Sequence, residues 1–105
     1  MSIVNLTPHA VTLVSSTETV TISPTGTVAR VSSQAVTVGE VNGIPLTRVS
    51  FGAVVDLPPP VEGTIYIVSA LVRSAVPNRL DVASPGELVR DSAGAVLGCK
   101  SLILN

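Results

Sequence analysis

Apolar and polar residues alternate with a period of two along most of the chain, and that period predicts strands. Residues 3–6 (Ile-Val-Asn-Leu) make a first short run. Thr7-Pro8-His9 closes it as a turn, because Pro8 has no N–H to give a ladder. Residues 10–14 and 18–22 alternate around Ser15-Ser16-Thr17, the pattern of a hairpin. Ser23-Pro24-Thr25-Gly26 predicts a second turn, and residues 27–32 a strand with Arg30 and Val31 on opposite faces. The sharpest local signal is Asn42-Gly43, set between Val36-Thr37-Val38 and Ile44-Pro45-Leu46. An Asn-Gly pair suits the two positive φ angles of a type I′ hairpin turn. Residues 46–51 and 53–57 read as strands with Gly52 as a bend or bulge, and Pro45 implies a sheet edge.

Pro58-Pro59-Pro60 reads as a stiff extended connector, and residues 64–68 as a buried strand. The period then changes. Val68, Leu71, Val72, Ala75 and Val76 follow helical spacing, Ser69 is a suitable N-cap and Pro77 a stop. Residues 70–76 are therefore the one expected helix. Residues 78–86 read as a polar loop, and 87–91 with 95–104 as a final hairpin around Asp91-Ser92-Ala93-Gly94. The fold class expected is mainly β with a minor α part. Its form would be a small antiparallel sheet, or a barrel-like domain of hairpins, in a single domain over residues 1–105.

Composition supports this. Nineteen valines, ten threonines and six isoleucines make a third of the 105 residues β-branched, a side-chain shape that fits pleated sheets better than helices. Charged residues are 12% of the chain against 46% hydrophobic, with a formal net charge of −1. That balance argues against a basic nucleic-acid binder, and two aromatic residues offer no platform for stacking bases. No apolar run reaches the roughly 18 residues of a membrane helix, and Met-Ser-Ile-Val-Asn lacks the basic start of a signal peptide. Cys99 is the only cysteine, so no internal disulfide forms and a reducing cytoplasm is the expected compartment. So few charges leave Ser, Thr, Ala and Val to cover the surface, from which a homo-oligomer is expected. A GC-rich genome would also favour Val, Ala, Pro, Gly and Arg.

Candidate chemistry concentrates in one stretch. Arg73, Asn78, Arg79, Asp81, Glu87, Arg90 and Asp91 lie within nineteen residues. Two readings apply: ion pairs that pin a loop to the last hairpin, or a polar pocket. In the pocket, Arg79 and Arg90 would grip phosphate with their planar guanidinium forks, while Asn78 or Asp81 would select a ribose or base. Arg30 and His9 are further ligand-binding candidates. A Cys99–His9 hydrolytic pair requires the fold to join distant segments. The chain lacks Gly-x-Ser-x-Gly, a phosphate-binding glycine loop and zinc-spaced His-Glu pairs, so no enzyme, cofactor or metal is implied.

Across most of its length the chain resembles small proteins encoded by phages, prophages and bacteria. The resemblance rests on Asn5-Leu6-Thr7-Pro8-His9, Val28-Ala29-Arg30-Val31-Ser32, Gly43-Ile44-Pro45 and Gly63-Thr64-Ile65-Tyr66-Ile67-Val68-Ser69. It continues through Pro85-Gly86, Val89-Arg90-Asp91, Gly94 and Gly98-Cys99. In size and expected oligomeric β-rich build the chain is similar to phage sponge proteins, which sequester cyclic-nucleotide or ADP-ribose-derived immune signals without cleaving them. The similarity implies a non-enzymatic binder of a small phosphorylated, nucleotide-like ligand, acting in the host cytoplasm if phage-encoded. The alternative is a structural or protein-interaction module, a virion accessory or assembly protein, marked by a large apolar patch without a pocket.

Overall fold

The computed structural model describes all of residues 1–105. About half of them lie in ten strands, with one helix. β1 (Ser2–Asn5), β6 (Thr64–Ile67), β7 (Val82–Pro85) and β10 (Leu102–Leu104) form one sheet in the order β1-β6-β7-β10. β3 (Thr19–Ile22), β2 (Val11–Val14), β9 (Val96–Cys99) and β8 (Leu88–Arg90) form a second, in that order. β4 (Arg30–Val41) and β5 (Ile44–Val55) pair only with each other. The fold is mainly β, as expected, but no barrel closes and the sheets are not purely antiparallel. β1 with β6, β6 with β7, and β2 with β9 run parallel.

Local signals determine the local elements. Asn42 and Gly43 both take positive φ, 50° and 80°, and close β4 onto β5 through the Val41–Ile44 pair. β5 runs unbroken through Gly52, where the register slips between Val31 and Ser33 of β4. A Cβ on Gly52 would meet the Ser32 hydroxyl, which would have to rotate aside. Helix α1 (Ala70–Ala75) begins as expected: the Ser69 hydroxyl accepts the Val72 N–H at 3.2 Å. At its far end the Asn105 amide donates to the carbonyls of Arg73 (3.0 Å) and Val76 (2.8 Å).

Two readings need correction. Residues 78–86 are not all loop: Val82–Pro85 is β7, an inner strand that receives the Tyr66 and Ile67 register of β6. Strand, helix and strand (β6, α1, β7) form a parallel crossover, and the connection over residues 68–81 is long enough for one. Residues 95–104 are not one strand. They leave the second sheet after Cys99 and re-enter the first as β10, where Leu104 faces Ala83. A continuous strand over this span would have left the β7 edge unpaired.

The core lies on both faces of the first sheet, its larger part against α1 and the base of the β4–β5 pair and its smaller part against the second sheet. Leu6, Ala29, Tyr66, Val68, Val72 and Val82 form its larger part, with Val4, Val31, Val54, Leu57 and Val76 against it. Val11, Ile67 and Cys99 form the smaller part. Burial of Val68, Val72 and Val82 contributes about 1.5–3 kcal/mol each. Only 13 residues are buried, and the accessible surface is 6841 Å². A compact chain of 10.7 kDa would expose roughly 5,500 Å². The radius of gyration, 16.4 Å, likewise exceeds the about 13 Å typical of 100 residues. Both excesses come from β4 and β5, which project as an arm: every residue from Ser32 to Ala53 is exposed.

A buried amide joins the two sheets. Asn5 has no exposed surface. Its Nδ2 donates to the carbonyls of His9 (2.8 Å) and Ile22 (3.0 Å), and its Oδ1 accepts the Thr7 N–H (2.9 Å) and hydroxyl (2.6 Å). Replacement by alanine leaves these groups buried without partners, and a destabilisation of about 2–4 kcal/mol is expected in urea unfolding. Asn5→Asp keeps the acceptor but loses both donors, so it should be comparably destabilised. Full stability in the aspartate variant would disprove this role for the amide.

Candidate functional site

The polar stretch from Arg73 to Asp91 does not form a pocket. Arg79 and Asp81, at the turn before β7, make a two-pronged pair: Nε to Oδ1 and Nη2 to Oδ2, both 2.8 Å. Nη2 also donates to the Pro58 carbonyl at 2.8 Å. The two side chains are about four-fifths covered, at 21% and 17% exposure. The hydrogen bond from Arg79 holds the Asp81 carboxyl below the usual carboxylate range, against the opposite pull of burial. The same bond raises the Arg79 pKa. The pair pins the turn to the Pro58-Pro59-Pro60 connector rather than to the last hairpin.

The other polar residues of the stretch also serve local structure. Arg73 Nε donates to the buried Ser84 hydroxyl at 2.8 Å, tying α1 to β7. Arg90 Nη1 donates to the Gly94 carbonyl (2.9 Å), and Asp91 Oδ1 accepts the N–H groups of Ala93 and Ala95 (2.9 and 3.0 Å). These contacts form the β8–β9 turn, with Gly94 at φ 84°. Asn78 and Glu87 are exposed. Of the four candidates here, only Arg79 and Asp81 come together. None of the surface grooves is lined by Asn78, Arg79, Asp81, Arg90 or His9.

The opening pentapeptide has a structural explanation. His9 is exposed, and its carbonyl accepts from Asn5 and from the Thr7 hydroxyl. Sequence reading singled out His9, whereas the residue that organises the segment is Asn5. The Asn-x-Thr spacing was the available signal, because an asparagine side chain readily caps the N–H two residues on. Cys99 is 2% exposed, and its Sγ lies 3.6 Å from the Thr12 carbonyl. A side chain so covered has no room to attack a substrate.

Arg30 is the candidate that does line a groove. It lies at the first residue of β4, where the arm leaves the body. The groove holds about 550 Å³ between the arm base and α1, with Val28, Val31, Val55, Leu71 and Val72 as its apolar walls. Ser32 and Ser69 are its hydroxyl groups and Arg30 its one ionised side chain. It is open and shallow, with no buried nucleophile or base. No cluster of three His, Cys, Asp or Glu residues able to hold a metal ion occurs in the structure, and no helix is long and apolar enough to cross a membrane. No protein-family model, curated protein or solved structure is matched by the chain.

Two measurements check these assignments. Replacing Asp81 by asparagine should lower stability by about 1–2 kcal/mol near neutral pH, since a charge-assisted bidentate contact is lost. Asp81 has a depressed folded pKa, so its contribution is complete above the unfolded value of about 3.9 and disappears as pH falls through the folded one. Wild type and variant should therefore converge in acid. A gap that persists there would show that the carboxylate is not its source. In the second measurement, thiol reagents should leave Cys99 unmodified in the folded chain and label it fully in denaturant.

Proposed function

We propose that this chain is a non-enzymatic protein-interaction module that works as an oligomer, with the β4–β5 arm as its interacting element. The observation that carries this reading is the arm itself. It is 12 residues long on each strand, exposed from Ser32 to Ala53, and rich in apolar side chains. Val36, Val38, Val41, Ile44, Leu46 and Val49 are each more than two-fifths exposed. An exposed ribbon that carries so many uncovered apolar side chains is a candidate interaction surface. A lone two-stranded ribbon is marginally stable in water, whereas three or more strands sustain one another. The resemblance to phage-encoded proteins fits a virion accessory or assembly role.

The sponge reading has one observation in its favour. Arg30, unpaired beside Ser32 and Ser69, has donors suited to a phosphorylated small ligand. Arg79, already satisfied by Asp81 and Pro58, is less suited to that task.

The decisive variant replaces Ala35–Val49 with Asn-Gly, closing Gln34 onto Ser50 with the same kind of turn. The expected product keeps its fold, with a melting temperature within a few degrees of wild type, and loses the assembled mass in native mass spectrometry. An unchanged assembly would refute the arm as the interacting element. Release of an intact phosphorylated molecule at fixed stoichiometry, after incubation with bacterial nucleotide extract, would favour the sponge reading instead.

A further inference from the structure

We infer that the arm's partner is a second copy of this chain, joined by antiparallel pairing of β4 with β4 across a two-fold axis at Ala35. The inference rests on the arm being the interacting element, and it names the partner and the register. Four observations carry it.

The first is the difference between the two edges of the arm. Exposed strand edges are ordinarily protected by proline and charge. The β5 edge carries both, in Pro45 and Arg48. The β4 edge carries neither between Val31 and Gly39, where its residues are Val, Ser, Gln, Ala and Thr with one closing glycine. The second is charge. β4 has two ionised residues, Arg30 near its start and Glu40 near its end. Neither is paired within the chain, whose one ion pair is Arg79–Asp81. Pairing two copies head to tail about Ala35 sets Glu40 opposite the partner's Arg30 at both ends.

The third is the position of the bulges. β-bulges usually spoil an edge for pairing. Here the register slips between Val31 and Ser33 and again between Thr37 and Gly39. These two places are equidistant from Ala35, the extra residue lying on β5 at the first and on β4 at the second, so the span centred on Ala35 is free of either irregularity. The regular segment Ser33–Thr37 lies between them. The fourth is area. The chain exposes about 1,300 Å² beyond the expectation for its mass, more than the about 800 Å² that each partner contributes to a standard interface. In this register the partner's turn, flanked by Val41 and Ile44, comes opposite Val28 at the arm base, beside the groove that holds Arg30. The two ribbons become one sheet in the order β5-β4-β4-β5.

Charge exchange tests the register. Glu40→Arg and Arg30→Glu each set like charges together at both ends of the interface, and both positions are exposed, so folding should persist. Sedimentation velocity of the full-length chain between about 1 and 100 µM should show a dimer for wild type and at least about thirty-fold weaker association for either variant. An equimolar mixture of the two variants should recover dimerisation, because the mixed pair restores Arg–Glu contacts at both ends. Ala35→Cys should form an intermolecular disulfide under mild oxidation, since paired Cβ atoms on the axis lie about 5 Å apart. A monomeric wild type at about 100 µM, or dimers indifferent to both charge changes and to mixing, would overturn the proposal. Loss of assembly on arm removal, together with indifference to the charge changes, would retain the arm as interacting element and reject only this partner geometry.

Discussion

The structure depends on one buried side chain. Asn5 ends the first strand of one sheet, and its amide reaches the backbone of β3 in the other sheet at Ile22 and of the turn before β2 at His9. A buried amide carries two donors and an acceptor, and each must be satisfied or the site loses a few kcal/mol. Here His9, Ile22 and Thr7 satisfy all of them. Its main-chain carbonyl also accepts from the Thr25 N–H (3.2 Å) and hydroxyl (3.1 Å). In a chain with so small a core, these directional contacts fix how the sheets sit together. Hydrophobic burial alone has no such directionality.

The same junction determines where the arm leaves the body. Leu6, next in sequence, donates to the Ile67 carbonyl (2.9 Å) and accepts from the Ala29 N–H (3.0 Å). Ala29 is buried, Arg30 beside it is exposed, and Val31 turns back to pack on the core. From Ser32 outward nothing holds the ribbon except its own ladder. At the point of departure the body is buried and hydrogen-bonded, whereas the arm's apolar side chains have no surface of their own chain to cover them. These are the conditions under which a partner stabilises a structure as well as binding to it.

Signals spanning a few residues were legible in the sequence. Asn42-Gly43 specified a turn, Ser69 and Pro77 bounded a helix, and Ser15-Ser16-Thr17 marked a hairpin, because each depends on φ preferences or a cap within one turn of chain. The parallel pairs were not legible, since their partners are far apart in sequence and antiparallel hairpins are the default for short strands. β7 was hidden by its own composition: Val82-Ala83-Ser84-Pro85 is short, has one strong strand former and ends in proline. The turn and crossover around it make it a strand. At the candidate site, the facing of Arg79 and Asp81 followed from their spacing. Their attachment to Pro58 did not, because the connector lies more than twenty residues earlier.

The use of charge in this chain makes the two ionised residues of β4 informative. With 13 charged side chains in 105 residues, most are already committed or irrelevant to the arm. Arg79 and Asp81 hold a turn, Arg73 holds Ser84, and Arg90 and Asp91 shape the last hairpin. Charges placed on a flat exposed strand normally repel other strands, and the β5 edge follows that rule with Arg48. β4 departs from it, with one charge of each sign near its two ends and a long neutral stretch between. A single sign would repel a second copy in any register. Opposite signs at mirrored positions repel a copy paired parallel in register and favour the one antiparallel register that sets Arg30 against Glu40 at both ends. In the proposed dimer the arrangement would serve as a selection rule for a partner of the same sequence, written with two residues on an otherwise unprotected edge.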